Sequence, residues 1–233
     1  MDKKSAKKLQ DELFSKKKNA VLIMDDDSIK KCDKFNEGYK SFLNTSKTER
    51  EAVTTTIELA IKNGFTEFIS GKVLNAGDKV YYNNRGKAIV LAVIGTEPIE
   101  NGVRIAAAHI DSPRLDLKQC PLYEDNEMAM FKTHYYGGIK KYQWTTIPLS
   151  LHGVIVKSDN SKVTVNIGED DDDPVFCVTD LLPHLASEQM KRPVTEVIKG
   201  EELNILIGSR PFKDDDISEK VKLNIMQILN DKY

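Results

Sequence analysis

The stretch from Arg104 to Lys118 constrains the fold of this chain more than any other part of the sequence. It begins with an apolar run typical of a buried strand, and it presents His109 and Asp111 just before Pro113 ends that strand. Polar residues at the end of such a run are expected at the carboxyl edge of a sheet, where open α/β folds place their ligand sites. Because side chains two residues apart in an extended chain point to the same face, His109 and Asp111 should meet.

This His-x-Asp pair is open to two interpretations. A carboxylate beside a histidine fixes the tautomer of the imidazole and leaves the other ring nitrogen available to a metal ion. The same pair is also an ordinary hydrogen bond at the end of a strand. The triplet alone leaves both interpretations open.

The residues before this stretch predict helices packed on a sheet. The apolar residues that follow the acidic triplet Asp25–Asp27 recur at helical spacing. They predict a helix over residues 29–43 that Ser28 caps. Ser46 and Glu49 have the spacing of a capping box, which predicts a second helix that ends at Gly64.

Residues 79–95 predict two strands joined by a tight turn at 83–86, where asparagine and glycine tolerate a positive φ. The second strand, Ala88 to Ile94, is almost entirely apolar. Such a strand is typical of the centre of a sheet, so we expect it to be covered on both faces.

After Lys118 the pattern changes to short β-type segments separated by turns. The predicted strands are 128–136, 147–157, 162–167, 175–178 and 204–207, and a closing amphipathic helix is predicted over 217–230. The sequence therefore predicts an α/β protein. A helix-covered mixed sheet in residues 1–115 is followed by a β-rich, barrel-like or sandwich-like domain in residues 116–233.

Composition excludes several classes of partner. The 34 basic and 36 acidic residues nearly balance, so no basic surface for nucleic acid is expected. No apolar run approaches the ~20 residues that span a membrane. The three cysteines lack the spacing of a disulfide framework or a zinc knuckle and indicate reduced thiols, so the cytoplasm is the expected compartment.

Four stretches together resemble the aspartyl aminopeptidase family, whose members are zinc-dependent aminopeptidases. They are AAHIDSPRLDLK around His109, SKTERE with KNGF in 46–65, YYGGIKKYQW with IPLSLHGVIVK in 135–157, and LLPHLA with LNILIGSRPF in 181–212. The resemblance implies a catalytic α/β domain that is interrupted, just after the first zinc motif, by a β-rich insertion with dimer contacts.

The resemblance also implies a two-zinc site that removes amino-terminal residues from peptide substrates. On this sequence it makes His109 a direct metal ligand and Asp111 the carboxylate that fixes the tautomer of His109. His184 in LLPHLA corresponds to a family histidine that helps to bind substrate in the active site of a neighbouring subunit. Zinc is the implied metal, with manganese and cobalt left open, and a homodimer or larger homo-oligomer is the implied assembly.

The family's remaining site segments, which carry a bridging aspartate, a Glu-Glu pair and a closing histidine, have no match in this sequence. The chain is therefore expected to be the truncated front half of such an enzyme, inactive by itself and in need of a complementary carboxy-terminal segment. The alternative is a non-catalytic assembly or binding module that retains the front half. Structural roles are predicted for His134 and His152, and a buried structural role for His184 remains the alternative to substrate binding.

Overall fold

The computed structural model describes residues 3–15, 17–214 and 216–233, with side chains from Ser5 onward. These residues form two compact units. The first contains the described residues up to Ser46 together with Arg50–Val93, and the second contains Lys47–Glu49 together with Ile94–Tyr233. The mixed α/β architecture predicted from the sequence is confirmed.

The first unit begins with three helices: α1 (Lys3–Leu13), α2 (Asp26–Asn44) and α3 (Glu49–Lys62), the last of which starts at the boundary residue Glu49. The helix predicted over 29–43 is confirmed, but the predicted cap is wrong. Asp25 caps α2 by accepting a hydrogen bond of 2.7 Å from the backbone nitrogen of Ser28. Ser28 lies inside the first turn because the acidic residues before it are themselves helical.

Helix α3 confirms the predicted end of the second helix but not its predicted start. The helix begins at Glu49, and the Ser46 Oγ atom is buried without a hydrogen-bond partner among the described residues, so the capping box does not form. At the other end Gly64 has a φ of +83°, and the nitrogen of Phe65 donates to the carbonyl of Ala60 at 3.0 Å. This is the left-handed helix end that the glycine predicts.

The sheet of the first unit has the strand order β1 (Thr66–Glu67), β2 (Lys79–Asn84) and β3 (Ala88–Val93). Strands β2 and β3 form the predicted hairpin, whose turn is held by a 2.7 Å hydrogen bond from the Gly86 nitrogen to Asn83 Oδ1. The prediction that the second strand is central and covered is wrong. Strand β3 is an edge strand, because no described strand pairs with its outer edge, and its side chains are not covered, since Val90 is 59% exposed.

The second unit contains an antiparallel sheet of four strands and a separate hairpin. The sheet has the order β4-β5-β9-β8, and the hairpin joins β6 and β7. The bounds are β4 Arg114–Asp125, β5 Met128–Tyr136, β6 Leu151–Val156, β7 Lys162–Ile167, β8 Cys177–Val178 and β9 Ile205–Gly208. All five predicted strands are present, with β5 and β7 at their predicted bounds and the others shorter or shifted.

The core of the second unit lies on this sheet. Val178, Ile198, Leu203 and Ile205 form a buried cluster, and Val221 of helix α4 (Lys220–Lys232) is also fully buried. Helix α4 confirms the predicted closing helix. Neither sheet of this unit closes on itself within the described residues, so a barrel-like insertion is not confirmed.

Candidate functional site

The residues before His109 do not form the buried strand that the sequence predicts. Residues 103–108 belong to no strand, and Ile105 is 80% exposed. The reason is physical: a strand needs a hydrogen-bonded neighbour, and none of the described strands pairs with this segment. The regular sheet begins after Pro113, where β4 starts at Arg114.

His109 and Asp111 contact each other as the spacing predicts. The Nδ1 atom of His109 lies 2.8 Å from the backbone oxygen of Asp111 and 3.1 Å from its Oδ1 atom. A carbonyl oxygen can only accept a hydrogen bond, so Nδ1 carries the hydrogen. The Nε2 atom makes no hydrogen bond with any described residue, and the side chain is 82% exposed. With Nδ1 as the donor, an uncharged imidazole in this position presents the lone pair of Nε2 to solvent.

Tyr136 completes the contacts of the Asp111 carboxylate. Its hydroxyl donates to Asp111 Oδ2 at 2.6 Å, across 25 residues of sequence. This hydrogen bond is the main reason why the pKa of Asp111 lies below its ordinary value, with partial burial opposing the shift. The same hydrogen bond, together with the charge of Asp111, raises the pKa of Tyr136. Asp111 is thus held as a carboxylate between a histidine and a tyrosine.

Arg114 lies against the other side of Tyr136. The two residues are direct partners across β4 and β5, and the guanidinium carbon lies 4.2 Å from the centre of the tyrosine ring. Arg114 Nε donates to Asp116 Oδ1 at 2.8 Å, and its Nη2 atom lies 3.1 Å from Glu49 Oε1. Burial lowers the pKa of Arg114, but these two carboxylates outweigh burial and raise the pKa. The guanidinium is therefore a fixed cation on the ring face.

A glycine allows the chain to turn directly after Tyr136. Gly137 has a φ of +81°, and a Cβ atom there would lie 3.4 Å from the Cα and Cγ atoms of Pro113. The contact of Tyr136 with the His-x-Asp pair was not predicted from the sequence. The register between β4 and β5 brings Ser-Pro-Arg and Tyr-Gly-Gly together, and the spacing of these two motifs in the sequence does not indicate it.

The other histidines lie outside this group. His184 is exposed in a turn between the exposed side chains of Leu182 and Leu185, and it makes no hydrogen bond, ion pair or ring contact with a described residue. His152 Nε2 lies 2.9 Å from Glu169 Oε1, and the side chain of His134 stacks on Tyr135. The structure thus brings His109 and Asp111 together but does not connect His184 to them.

The donor chemistry at His109 fits a zinc ligand in part. A histidine that donates one ring hydrogen to a carboxylate or carbonyl and exposes the other nitrogen has the arrangement of zinc-binding histidines. A catalytic zinc ion takes three protein ligands, and the described residues contain no group of three histidine, cysteine or acidic side chains that could hold a metal ion. The exposed Nε2 atom of His109 is a single donor and does not meet this requirement by itself.

The profile of a family described as aminopeptidase I zinc metalloprotease (M18) matches residues 42–233. The chain belongs to the M18 family. Its predicted membership in this group of zinc aminopeptidases is confirmed, and zinc is the metal in the family's name.

The M18 relatives are similar along nearly the whole chain. A probable M18 family aminopeptidase 1 of Clostridium acetobutylicum is 54% identical over 229 residues, which is 97% of this chain and 49% of the relative. The crystal structure of aminopeptidase I from the same organism is 52% identical with a TM-score of 0.83, covering 95% of this chain and 49% of that one. An M18 aminopeptidase structure from Thermotoga maritima is 39% identical with a TM-score of 0.85, covering 94% of this chain and 47% of that one.

The chain therefore spans about half the length of the M18 relatives that it matches. Within the described ranges, every helix is too short or too polar to cross a bilayer.

Proposed function

We propose that this chain is the amino-terminal portion of an M18 metallo-aminopeptidase and that His109 Nε2 is one of the metal ligands. The observation that carries the proposal is the His109–Asp111 pair, in which Nδ1 donates to oxygens of Asp111 and Nε2 points to solvent. The family membership supports the choice of a zinc-dependent hydrolase over an ordinary strand-end hydrogen bond.

In this proposal each residue has a separate role. His109 donates the lone pair of Nε2, and Asp111 fixes the tautomer and the direction of the ring. Pro113 directly precedes β4, which starts at Arg114, so His109 lies just before the sheet. Bound zinc, in the two-metal form that the resemblance implies, would polarise the scissile carbonyl and lower the pKa of a water molecule. Manganese or cobalt is the alternative metal.

The substrate in this proposal is a peptide with a free amino terminus. His184 contacts that peptide in the active site of a neighbouring subunit, within a homodimer or larger homo-oligomer. The exposure of His184 between exposed leucines supports this role, because an imidazole with no partner among the described residues is available to a neighbouring subunit. The proposed compartment is the cytoplasm.

The remaining metal donors come, in this proposal, from a carboxy-terminal segment like the half of the relatives that this chain does not span. The 233 residues alone are then inactive, because one histidine does not hold a catalytic zinc ion.

The decisive experiment joins this chain to the carboxy-terminal half of the Clostridium acetobutylicum relative in one polypeptide. We expect zinc-dependent hydrolysis of aminoacyl chromogenic substrates by this chimera, none by the 233 residues alone, and loss of turnover in His109→Ala. His134→Ala, an exposed histidine of the same unit, is the matched control and should retain activity. A folded chimera whose turnover survives His109→Ala contradicts the assignment.

One observation favours the alternative, a non-catalytic assembly or binding module. The described residues bring no three metal donors together. A folded chimera that assembles but neither binds zinc nor hydrolyses any substrate would support this second function.

A further inference from the structure

We propose that Tyr136 and Arg114 are positioning residues that hold the Asp111 carboxylate, and through it the His109 ring, in one orientation. The inference deepens the proposed function, because it concerns the same site and gives two further residues a role in it. Neither residue is a metal ligand in this proposal, and both act through Asp111.

The first step concerns the two oxygens of the Asp111 carboxylate, each of which contacts a different side chain. Oδ1 of Asp111 faces His109 Nδ1 at 3.1 Å, and Oδ2 accepts the Tyr136 hydroxyl at 2.6 Å. A carboxylate with only one partner can rotate about its last bond, whereas two partners on opposite oxygens fix its plane. The hydroxyl of Tyr136 therefore determines where Oδ1 points.

The second step is the anchoring of the tyrosine. Tyr136 lies at the end of β5, opposite Arg114 on β4, and the guanidinium lies 4.2 Å from the ring centre. Arg114 is itself fixed from three directions, by Asp116 at 2.8 Å, by Glu49 at 3.1 Å and by the carbonyl oxygen of Ser112 at 3.3 Å. A cation held this firmly restricts the ring to one position on the strand.

These contacts connect a rigid sheet to an exposed histidine. Residues 103–108 belong to no strand, and His109 is 82% exposed, so the described contact that its own backbone segment makes with the ring is the one from the Asp111 oxygen to Nδ1 at 2.8 Å. The path from β4 and β5 through Arg114, Tyr136 and Asp111 supplies further support. A ligand held by a chain of hydrogen-bonded neighbours keeps its orientation before the metal binds.

The test reads the tautomer of His109 in the metal-free 233-residue chain, labelled with 15N in its histidines. Protonated and unprotonated ring nitrogens resonate at well-separated 15N frequencies, so one spectrum gives the population of each neutral tautomer. His109→Gln identifies the signals of His109 among the four histidines. In the unchanged chain we expect the Nδ1-protonated form to predominate.

Tyr136→Phe removes the hydroxyl and keeps the ring under Arg114. We expect the population to shift toward the Nε2-protonated form that a solvent-exposed histidine side chain favours. Arg114→Gln should shift it in the same direction and serves as the second variant should Tyr136→Phe fail to fold. Tyr135→Phe is the matched control, because the neighbouring Tyr135 hydroxyl makes no hydrogen bond with the described residues, and its spectrum should match that of the unchanged chain.

The proposal is overturned if folded Tyr136→Phe or Arg114→Gln has the same tautomer population as the chain without substitutions. It is also overturned if the Nε2-protonated form predominates in the chain without substitutions. The result is independent of the aminopeptidase assignment, since the spectra contain no metal and no substrate. An inactive chimera with the expected tautomer shift refutes the function and leaves the positioning network in place.

Discussion

The backbone nitrogen of Lys222 donates to Glu124 Oε2 at 2.9 Å, so that a carboxylate of β4 caps the first turn of α4 from 98 residues away. The residue at the usual capping position, Glu219, has a φ of +50° and makes no side-chain cap of its own. The helix start therefore depends on a partner in the sheet.

Glu124→Ala should lower the free energy of unfolding by about 1 kcal/mol, because it leaves this helix end without its acceptor. Urea denaturation followed by circular dichroism measures the change. Glu196→Ala, which removes an exposed glutamate whose side chain makes no hydrogen bond or ion pair in the described part of the second unit, should have almost no effect. Equal losses in the two variants would show that α4 does not use the Glu124 cap.

Ser46→Ala distinguishes the structure from the capping box that the sequence predicts. Because the hydroxyl is buried without a described partner, its removal should leave the free energy of unfolding unchanged or raise it by up to about 1 kcal/mol. A working capping box would instead make the variant less stable by about 1 kcal/mol. Asp25→Ala removes a cap that the structure does contain and should be destabilising in the same urea titration.

Glu169 should make the stability of the second unit depend on pH in the acid range. The hydrogen bond with His152, followed by that from Ser150, lowers the pKa of Glu169 below its ordinary value of 4.5. A carboxyl whose pKa is lower in the folded state stabilises the fold above the unfolded pKa, and this contribution disappears as the pH falls below 4.5 through the folded pKa.

The melting temperature of Glu169→Gln should therefore fall less than that of the unchanged chain when the pH is lowered from neutral to below 4.5. Thermal melts at a series of pH values measure it, with Asp171→Asn in the same loop as the control. Identical pH profiles for Glu169→Gln and the unchanged chain would remove Glu169 from this role.

Gly137→Ala should destabilise the corner that follows Tyr136. The positive φ of +81° costs an alanine about 1 to 2 kcal/mol, and its Cβ atom would press on Pro113 at 3.4 Å. Gly138→Ala is the matched control, because a Cβ atom there meets no atom within 4 Å and its φ is not in the positive range. Melting temperatures measured side by side should fall only for Gly137→Ala, and a fall of the same size in both variants would contradict the argument.

Local signals made much of the fold predictable. The Asn83–Gly86 turn, the Gly64 helix end and the helix after Asp25 depend on neighbours within a few residues, and all three form. Strand β4 was missed because Cys120 takes a φ of +48° and the register with β5 shifts between Leu117 and Leu122. This irregularity interrupts the alternation by which a strand is predicted.

Burial was less predictable, because it depends on which elements cover an apolar run. Ala88 to Ile94 and residues 103–108 are apolar enough for the middle of a sheet. In the described structure, however, the first run has a neighbouring strand on one edge only, and the second run has none. The site was predictable only where its residues are adjacent. His109 and Asp111 are two positions apart, whereas the contact of Asp111 with Tyr136 arises from strand register and has no signature in the spacing.

The outer edge of β3 should affect how the protein behaves in concentrated solution. On this side the backbone amides and carbonyls of β3 have no described partner strand, and Val90 and Val93 are exposed, so the edge is a template for strand pairing with other copies of the chain. Preparations of these 233 residues on their own should consequently stay monodisperse only when dilute, and a lysine introduced at Val90 should extend the concentration range over which they remain clear.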